Sequence, residues 1–227
     1  MNFVTYSYYL YFLPTVILLT FGLTSKRRKK QILVLVSMSY LFFWLASGWH
    51  LLLLLLSTCI DWTAGKKISK SDEVKIRKRW LLLSLIINLG LLATFKYLDF
   101  IIETLNFFSF QIFENKVMHA PGLLLPVGIS FYTFQTMSYT IDIYRDKQKP
   151  YDSFLDFACY AAFFPQLVAG PIVRSDHFHE EITKPLKLQS HTFRLGITLI
   201  IYGLAKKLVI ADNLAVHANE VFQEGEH

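Results

Sequence analysis

The sequence predicts an all-α fold: a polytopic transmembrane helical protein with one broken, partly re-entrant segment. Hydrophobic residues make up 53% of the 227 residues, and the mean hydropathy is +0.38. Both values are too apolar for a soluble domain of this size. The apolar runs alternate with short basic clusters, and one run is interrupted by Pro165 and by Gly170-Pro171. That run therefore cannot form a single straight membrane helix.

The net charge of +6 does not indicate a nucleic-acid-binding protein. Lys and Arg are concentrated in two loops, 26–30 and 66–79, that separate apolar runs. Membrane proteins carry such basic loops on the cytoplasmic side of the bilayer. We therefore expect both loops to be cytoplasmic and the lipid bilayer, not nucleic acid, to be the main partner. Cys59 and Cys159 lack metal or redox spacing, so they are expected to be packing residues.

The whole chain is predicted to be one membrane domain. Spans are expected near residues 8–23, 32–49, 51–64, 80–95 and 126–144, with a broken segment at 154–174 and a further helix from 193. Basic residues follow the first apolar run rather than precede it, which indicates an uncleaved anchor with its amino end outward. Lys96 to His119 is aromatic-rich and is expected to lie on the outer face, partly in the interface.

The segment around which the chain is organised begins with a membrane-length helix. Pro126 is tolerated in its first turn, and from there to Tyr144 a helix would span roughly 28 Å, close to the hydrocarbon thickness of a bilayer. Gln135, Ser138 and Asp142 are spaced by three and four residues and so share one face. A helix that faced only lipid would not carry this polar stripe.

The next segment should break inside the membrane. Ser153 and Asp156 form a capping-box pattern that predicts a helix from Phe154, and Pro165 should end that helix after about half a bilayer thickness. Unpaired backbone cannot face lipid, so residues 165–174 are expected to line a protein-enclosed, hydrated cavity. A kinked loop in the cytoplasm or at the interface is the alternative.

Three stretches resemble the membrane-bound O-acyltransferase family, in particular its bacterial branch typified by the membrane subunit of alginate O-acetyltransferase. They read LPVGISFYTFQTMSYTIDIYR at 125–145, FLDFACYAAFFPQLVAGPIVR at 154–174 and GLAKKLVIADNLA at 203–215. The resemblance implies transfer of an acyl group, usually acetyl, to hydroxyls of a cell-surface polysaccharide such as alginate. It also implies a multi-pass protein of the bacterial inner membrane.

The resemblance further implies an acyl donor such as acetyl-CoA or another acyl thioester, no bound cofactor or metal, and periplasmic acetyltransferase partner proteins. The catalytic histidine of the family lies downstream of the third stretch. We therefore expect no catalytic residue in this chain and no activity from it alone. The family histidine would act as general base on the acceptor hydroxyl, while hydrogen-bond donors stabilise the oxyanion.

Six residues are candidates for lining a donor or substrate channel: Gln135, Asp142, Gln166, Gly170, Pro171 and Arg174. Arg174 either binds anionic groups of the donor or anchors the segment at the interface by snorkelling. Gln166 either orients the thioester or, as we favour, satisfies backbone freed by the break. For Asp142 an ion pair with Arg145 is favoured over proton transfer.

The histidines are weaker candidates. His50 follows Trp49, a pair that also marks the family's catalytic site, but leucines follow it here, so a catalytic role is not expected. His177, His179 and His191 match no zinc spacing and are expected to be solvated loop residues. A secondary transporter or flippase for an anionic or lipid-linked substrate is the alternative function, because broken helices also form transport sites.

Overall fold

The computed structural model describes residues 5–23, 27–113, 119, 121–167, 173–184 and 186–224. Over these residues the secondary structure is helical, without strands, which confirms the all-α class. The α-helices are α1 Leu13–Ile17, α2 Arg28–Ser47, α3 Leu51–Lys70, α4 Val74–Phe113, α5 Ile129–Tyr144, α6 Phe154–Ala162, α7 Phe164–Leu167, α8 Ser175–Thr183, α9 Ser190–Ala205 and α10 Asp212–Glu224.

Wider π-helical turns extend three of these helices. They cover Tyr8–Phe12 and Leu18–Leu23 on either side of α1, and Lys206–Ala211 between α9 and α10. Near Pro14 the Leu13 N–H bonds the Tyr8 carbonyl five residues back. A proline ring collides with the carbonyl four residues before it, which the wider turn relieves. Residues 8–23 thus form one continuous helical segment, called the N-terminal segment below.

Two stretches of the described chain are long and apolar enough to cross a membrane: Arg28–Lys70, which comprises α2 and α3, and Val74–Ser109 in α4. The first stretch is interrupted by a 3₁₀ turn at Gly48–His50, where Gly48 has a φ of 58° that only glycine adopts without strain. These helices support a membrane location. The number of crossings and their orientation remain predictions.

Helix α4 differs most from the expectation. It runs for 40 residues, about 60 Å at 1.5 Å per residue. The helix therefore continues past residue 95, where the predicted span ended, as far as Phe113, and the interfacial position of residues 96–113 remains a prediction. Lys96, Asp99 and Glu103 lie three and four residues apart, on one helical face, and neither proline nor glycine follows Gly90 within the helix. Charged residues in this pattern end an apolar run without ending the helix.

Helix α5 is shorter than predicted, because Pro126 precedes its first turn instead of occupying it. Gly128 adopts a left-handed conformation with φ 72° as the N-cap residue, and the Ile129 N–H bonds the Pro126 carbonyl at 3.2 Å. The 16 residues of α5 cover about 24 Å.

Helix α6 begins at Phe154 as predicted, but the Ser153 side chain makes no capping hydrogen bond. The helix ends at Ala162, two residues before the position expected from Pro165 alone, and α7 follows after Phe163. The break is at Phe163, whose ψ of 106° is not helical, and Pro165 lies in the first turn of α7, where its missing N–H is tolerated.

The core has two parts. Helices α3, α4 and α5 pack on one another, while α2 packs on α6, on α7 and on the N-terminal segment. Stacked and edge-on rings fill the second part; among them Phe42 contacts Phe12 and Phe164 at centroid distances of 5.5 and 5.9 Å. Such ring pairs add specific contacts to apolar burial. The break after α6 is therefore buried against α2 on one side.

Candidate functional site

A cleft of about 660 Å³ opens at one end of the helices, where three elements meet. The carboxyl end of α3, the turn after α5 and the start of α8 form its walls. Four lysines line it against three acidic side chains, so positive charges are in slight excess. The basic residues are Lys66, Lys70, Lys147 and Lys149, and the acidic ones Asp152, Asp176 and Glu180. The cleft is therefore suited to a ligand with anionic groups.

The basic loops predicted to share one side of the membrane do lie at the same end of the molecule. Lys66 pairs with Asp152 at 3.4 Å, and Arg28 pairs with Asp156 at 2.7 Å. Both acidic partners lie at the start of α6, Asp152 just before the helix and Asp156 in its first turn. Because two distant basic segments contact this one stretch, the cleft lies at the end of the molecule where the expected cytoplasmic charges gather.

Buried polar side chains form the floor of the cleft. The Tyr151 hydroxyl donates to the Ser175 carbonyl at 2.6 Å, and the Ser175 hydroxyl donates to Gln148 Oε1. Gln148 Nε2 in turn donates to the Tyr139 carbonyl at 3.2 Å. Burial raises the pKa of the Tyr151 phenol, so it remains a hydrogen-bond donor at neutral pH. These bonds fix α8 to the end of α5.

Gln135 occupies the predicted inward face of α5. It is buried, and its Nε2 donates to the Tyr160 carbonyl of α6 at 2.8 Å. The Tyr160 hydroxyl has two acceptors within reach, the Gln135 carbonyl at 3.1 Å and the Val173 carbonyl at 3.2 Å. The structure thus joins Gln135 to the residue just before Arg174. Ser138, also on this face, bonds the Gln135 carbonyl at 2.7 Å.

The other candidates are dispersed. Asp142 is partly buried and makes no ion pair with Arg145, so the favoured pairing is wrong. The Asp142 carbonyl accepts a hydrogen bond from the Lys147 N–H at 2.9 Å, and this bond begins the turn after α5. Arg174 is exposed and is the N-cap residue of α8, directly before the cleft residue Ser175. Neither of its proposed roles is decided by this position.

The break itself is only partly described. Gly170 and Pro171 lie outside the described residues. Pro165 is exposed, and the Gln166 Oε1 is buried with no hydrogen-bond partner in the part of the chain that the structure covers. The lysine-rich cleft is lined by the turn before α6 and by α8, not by residues 165–167. A cavity along the break remains a prediction.

The histidines lie on or next to helices. His50 is buried, and its ring stacks on that of Trp49 with the two ring centroids 4.1 Å apart. Its Nδ1 lies 2.7 Å from the Ser47 carbonyl. His177 and His191 are exposed on α8 and α9, so their assignment to a solvated loop is wrong in secondary structure but right in exposure. His179 is half-buried against Tyr151 and lines the cleft.

The cysteines differ from each other. Cys159 is fully buried in the aromatic core, whereas Cys59 is exposed on α3. Only Cys159 is therefore the packing residue that the sequence predicted. Exposure of Cys59 on an apolar helix is the pattern expected of a side chain that faces lipid.

A buried polar cluster centred on Asp61 was missed by the sequence analysis. Ser84 Oγ donates to Asp61 at 2.5 Å, and Asn88 Nδ2 reaches both carboxylate oxygens at 2.9 and 3.0 Å. Ser57 Oγ donates to Asn88 Oδ1 at 2.6 Å and lies 3.5 Å from Thr136 Oγ1. The five side chains join α3, α4 and α5. A lone aspartate within an apolar run was the available signal.

Known proteins show strong similarity to this chain. A probable alginate O-acetylase AlgI of Pseudomonas aeruginosa is 34% identical over 207 residues, which cover 87% of this chain and 38% of that protein. The corresponding AlgI of Pseudomonas putida is 35% identical, with 87% and 40% covered. The chain belongs to the AlgI-like membrane-bound O-acyltransferases. This membership confirms the resemblance carried by the three stretches at 125–145, 154–174 and 203–215.

The AlgI-like relatives include proteins that act on a different glycan. A peptidoglycan O-acetyltransferase of Helicobacter pylori is 34% identical over 222 residues, covering 85% of this chain and 40% of that protein. The chain spans about two fifths of the length of the curated relatives that it matches. No family model matches the sequence, and no solved structure matches it.

Proposed function

We propose that this chain is part of an O-acetyltransferase of the bacterial inner membrane, and that this enzyme modifies hydroxyls of a cell-surface glycan. The observation that carries the proposal is the identity of about a third, along most of the chain, to proteins named as alginate or peptidoglycan O-acetyltransferases. O-acetylation of a glycan is what these names share. The transporter alternative has no comparable support.

The proposed reaction is an acyl transfer. The hydroxyl oxygen of the glycan attacks the carbonyl carbon of an acetyl thioester such as acetyl-CoA; a C–O bond forms, the C–S bond breaks and the thiol is released. The hydroxyl proton passes to a general base, for which a histidine beyond this chain is the candidate, and donors near the carbonyl stabilise the oxyanion. Periplasmic acetyltransferase proteins are proposed partners.

The lysine-rich cleft is the proposed binding site for anionic groups of the donor. Lys70 and Lys149 line it without an ion-pair partner among the described residues, whereas Lys66 is already held by Asp152 and lies 5.9 Å from the Trp62 ring centroid. Phosphates of a coenzyme A thioester would interact with Lys70 and Lys149. Tyr151 separates this cleft from the apolar interior of the protein. Arg174, next to Ser175, is a further candidate contact.

Deleting the gene tests the proposed reaction. The ester-linked acetyl content of the cell-surface glycan, measured as acetate released by mild alkali, should fall to background because the transfer step is lost. Complementation with the wild-type gene should restore it. Unchanged acetyl content in the deletion strain would overturn the assignment as O-acetyltransferase.

Charge reversal in the cleft tests the donor site separately. The double variant Lys70→Glu/Lys149→Glu should raise the KM for acetyl-CoA about tenfold or more with little change in kcat, since two favourable charge contacts become repulsive. The measurement is acetyl transfer by the full-length enzyme in reconstituted membranes at varied donor concentration.

The matched control is Lys75→Glu/Lys78→Glu, which reverses two exposed lysines on α4 that do not line the cleft. It makes the same change in net charge. Equal KM values for the two double variants would exclude the cleft as donor site while leaving the acetyltransferase assignment intact.

A further inference from the structure

A second concave surface, of about 580 Å³, is an apolar groove between the N-terminal segment and the first turns of α9. Leu13, Ile17 and Phe21 line one wall, and Ile197 and Ile200 line the other. The side chains of α9 are partly or fully exposed, with none buried in the described structure. The groove is therefore an apolar channel along the outside of the described helices.

Only one end of this apolar groove is polar. Lys187 lies there, next to the start of α9. Gln31 fixes this end, because its Nε2 reaches the Thr20 carbonyl at 3.3 Å and the Leu186 carbonyl at 2.9 Å. The Leu186 N–H donates to Gln31 Oε1 at 3.1 Å. The groove thus runs from a polar mouth beside Lys187 to an apolar end beside Leu13 and Ile200.

The polar mouth is surrounded by positive charge. Arg28 Nε donates to the Ile182 carbonyl at 2.6 Å, which brings the first turn of α2 beside the segment that leads to Lys187. The exposed basic residues of these two segments are Arg27, Lys29, Lys30, Lys184 and Lys187, against the exposed Asp176, Glu180 and Glu181 of α8. Arg28 itself is occupied by Asp156. The mouth therefore has an excess of cations.

The length of the groove matches one leaflet of a bilayer. Its wall on α9 runs from Gln189 at the mouth to Ile200, which at 1.5 Å per residue is roughly 16 Å, about half of a 30 Å hydrocarbon core. An acyl chain could lie along this wall with its headgroup at the basic mouth. Basic pockets between membrane helices bind anionic lipid headgroups in this way.

We propose that the groove binds an anionic phospholipid, with one acyl chain between the N-terminal segment and α9 and the phosphate at Lys187. Charge complementarity at the mouth selects an anionic headgroup over a zwitterionic one. The site is separate from the lysine-rich cleft, so it does not depend on the proposed acetyl transfer.

Photolabelling of the full-length protein in nanodiscs tests the proposal. The probe is phosphatidylglycerol with a photoactivatable group on one acyl chain, compared with phosphatidylcholine that carries the same chain. Labelled peptides are quantified by mass spectrometry. Peptides from 13–21 and 187–200 should be labelled about fivefold more by phosphatidylglycerol, an effect that attraction by one or two basic residues provides.

Two variants separate the headgroup from the chain. Lys187→Gln should lower phosphatidylglycerol labelling about fivefold, towards the phosphatidylcholine level. Gly196→Leu should reduce labelling by both lipids, because Gly196 lines the groove and a side chain there would occupy it; a Cβ at this position meets no atom within 4 Å.

The controls are Lys75→Gln, which changes an exposed lysine that does not line the groove, and Gly203→Leu, which changes a glycine of the same helix outside the groove whose Cβ would also meet no atom within 4 Å. Both should label like wild type. Equal labelling by the two lipids would overturn the headgroup selection. Absence of label from the groove would show that another protein segment covers it. Full labelling in Gly196→Leu would show that the lipid binds elsewhere. Either result would overturn the site.

Discussion

Replacing Asp61 by leucine is expected to lower the free energy of unfolding by about 3 kcal/mol or more. The carboxylate accepts hydrogen bonds from Ser84 and Asn88 in a fully buried position. Leucine has the same number of side-chain heavy atoms but accepts no hydrogen bond. The Ser84 hydroxyl and one Asn88 N–H are then left unpaired, while the other Asn88 N–H keeps the Ser84 carbonyl at 3.0 Å, and each unpaired buried donor costs about 1–3 kcal/mol. The three helices joined by the cluster would lose their common polar centre.

Heat resistance of the purified protein in detergent measures this effect. The fraction that remains monodisperse on gel filtration after heating should fall sharply for Asp61→Leu and less for Asp61→Asn, whose amide oxygen still accepts. Asp72→Leu is the control, since Asp72 is exposed in the turn between α3 and α4. Wild-type stability in Asp61→Leu would mean that the desolvation cost of the carboxylate cancels its hydrogen bonds.

Gly65→Ala is expected to cost about 2 kcal/mol of folding stability, in the range found for overpacked cores. A Cβ on Gly65 would lie 2.9 Å from both Cε1 and Oη of Tyr139 and 2.9 Å from Cδ1 of Ile143. The isoleucine methyl can rotate away. The tyrosine cannot, because its ring packs 4.4 Å from that of Phe157 and its hydroxyl accepts from the Tyr151 N–H at 3.3 Å.

Gly90→Ala provides the matched control for this substitution. Gly90 also lies within a membrane-length helix, but a Cβ there meets no atom within 4 Å. Alanine should therefore stabilise α4 by about 0.5–1 kcal/mol through helix propensity alone. Opposite shifts in the same heating assay are expected for the two variants. A gain of stability in Gly65→Ala would refute close packing of α3 on α5.

The sequence predicted those features that depend on local periodicity. The inward polar face of α5 is recognisable from Gln135, Ser138 and Asp142, and the start of α6 from the residues around Phe154. The length of α4 was missed because the predicted span ended before the charges at Lys96 and Asp99, whereas charge affects membrane position more than helix continuation. Hydropathy and helicity are separate properties.

The site was harder to predict than the fold. The cleft joins the end of α3 to residues about 80 and 110 positions later in the chain, and periodicity within one segment carries no information on such contacts. Asp61 was missed for a related reason: its partners Ser84 and Asn88 are on the next helix, and without them the aspartate was only one polar residue in an apolar run. Motif resemblance located the family but not this cluster.

The tie between Tyr160 and its two acceptors has a mechanical consequence. A phenol has one proton, so the carbonyls of Gln135 and Val173 share a three-centre bond. If the Val173 carbonyl moves away, the proton is retained in full by Gln135 and no buried donor is left unpaired. Displacing the Val173 carbonyl therefore costs less than rupture of a complete hydrogen bond, whereas the next residue, Arg174, leads directly to Ser175, whose carbonyl is held by the Tyr151 hydroxyl.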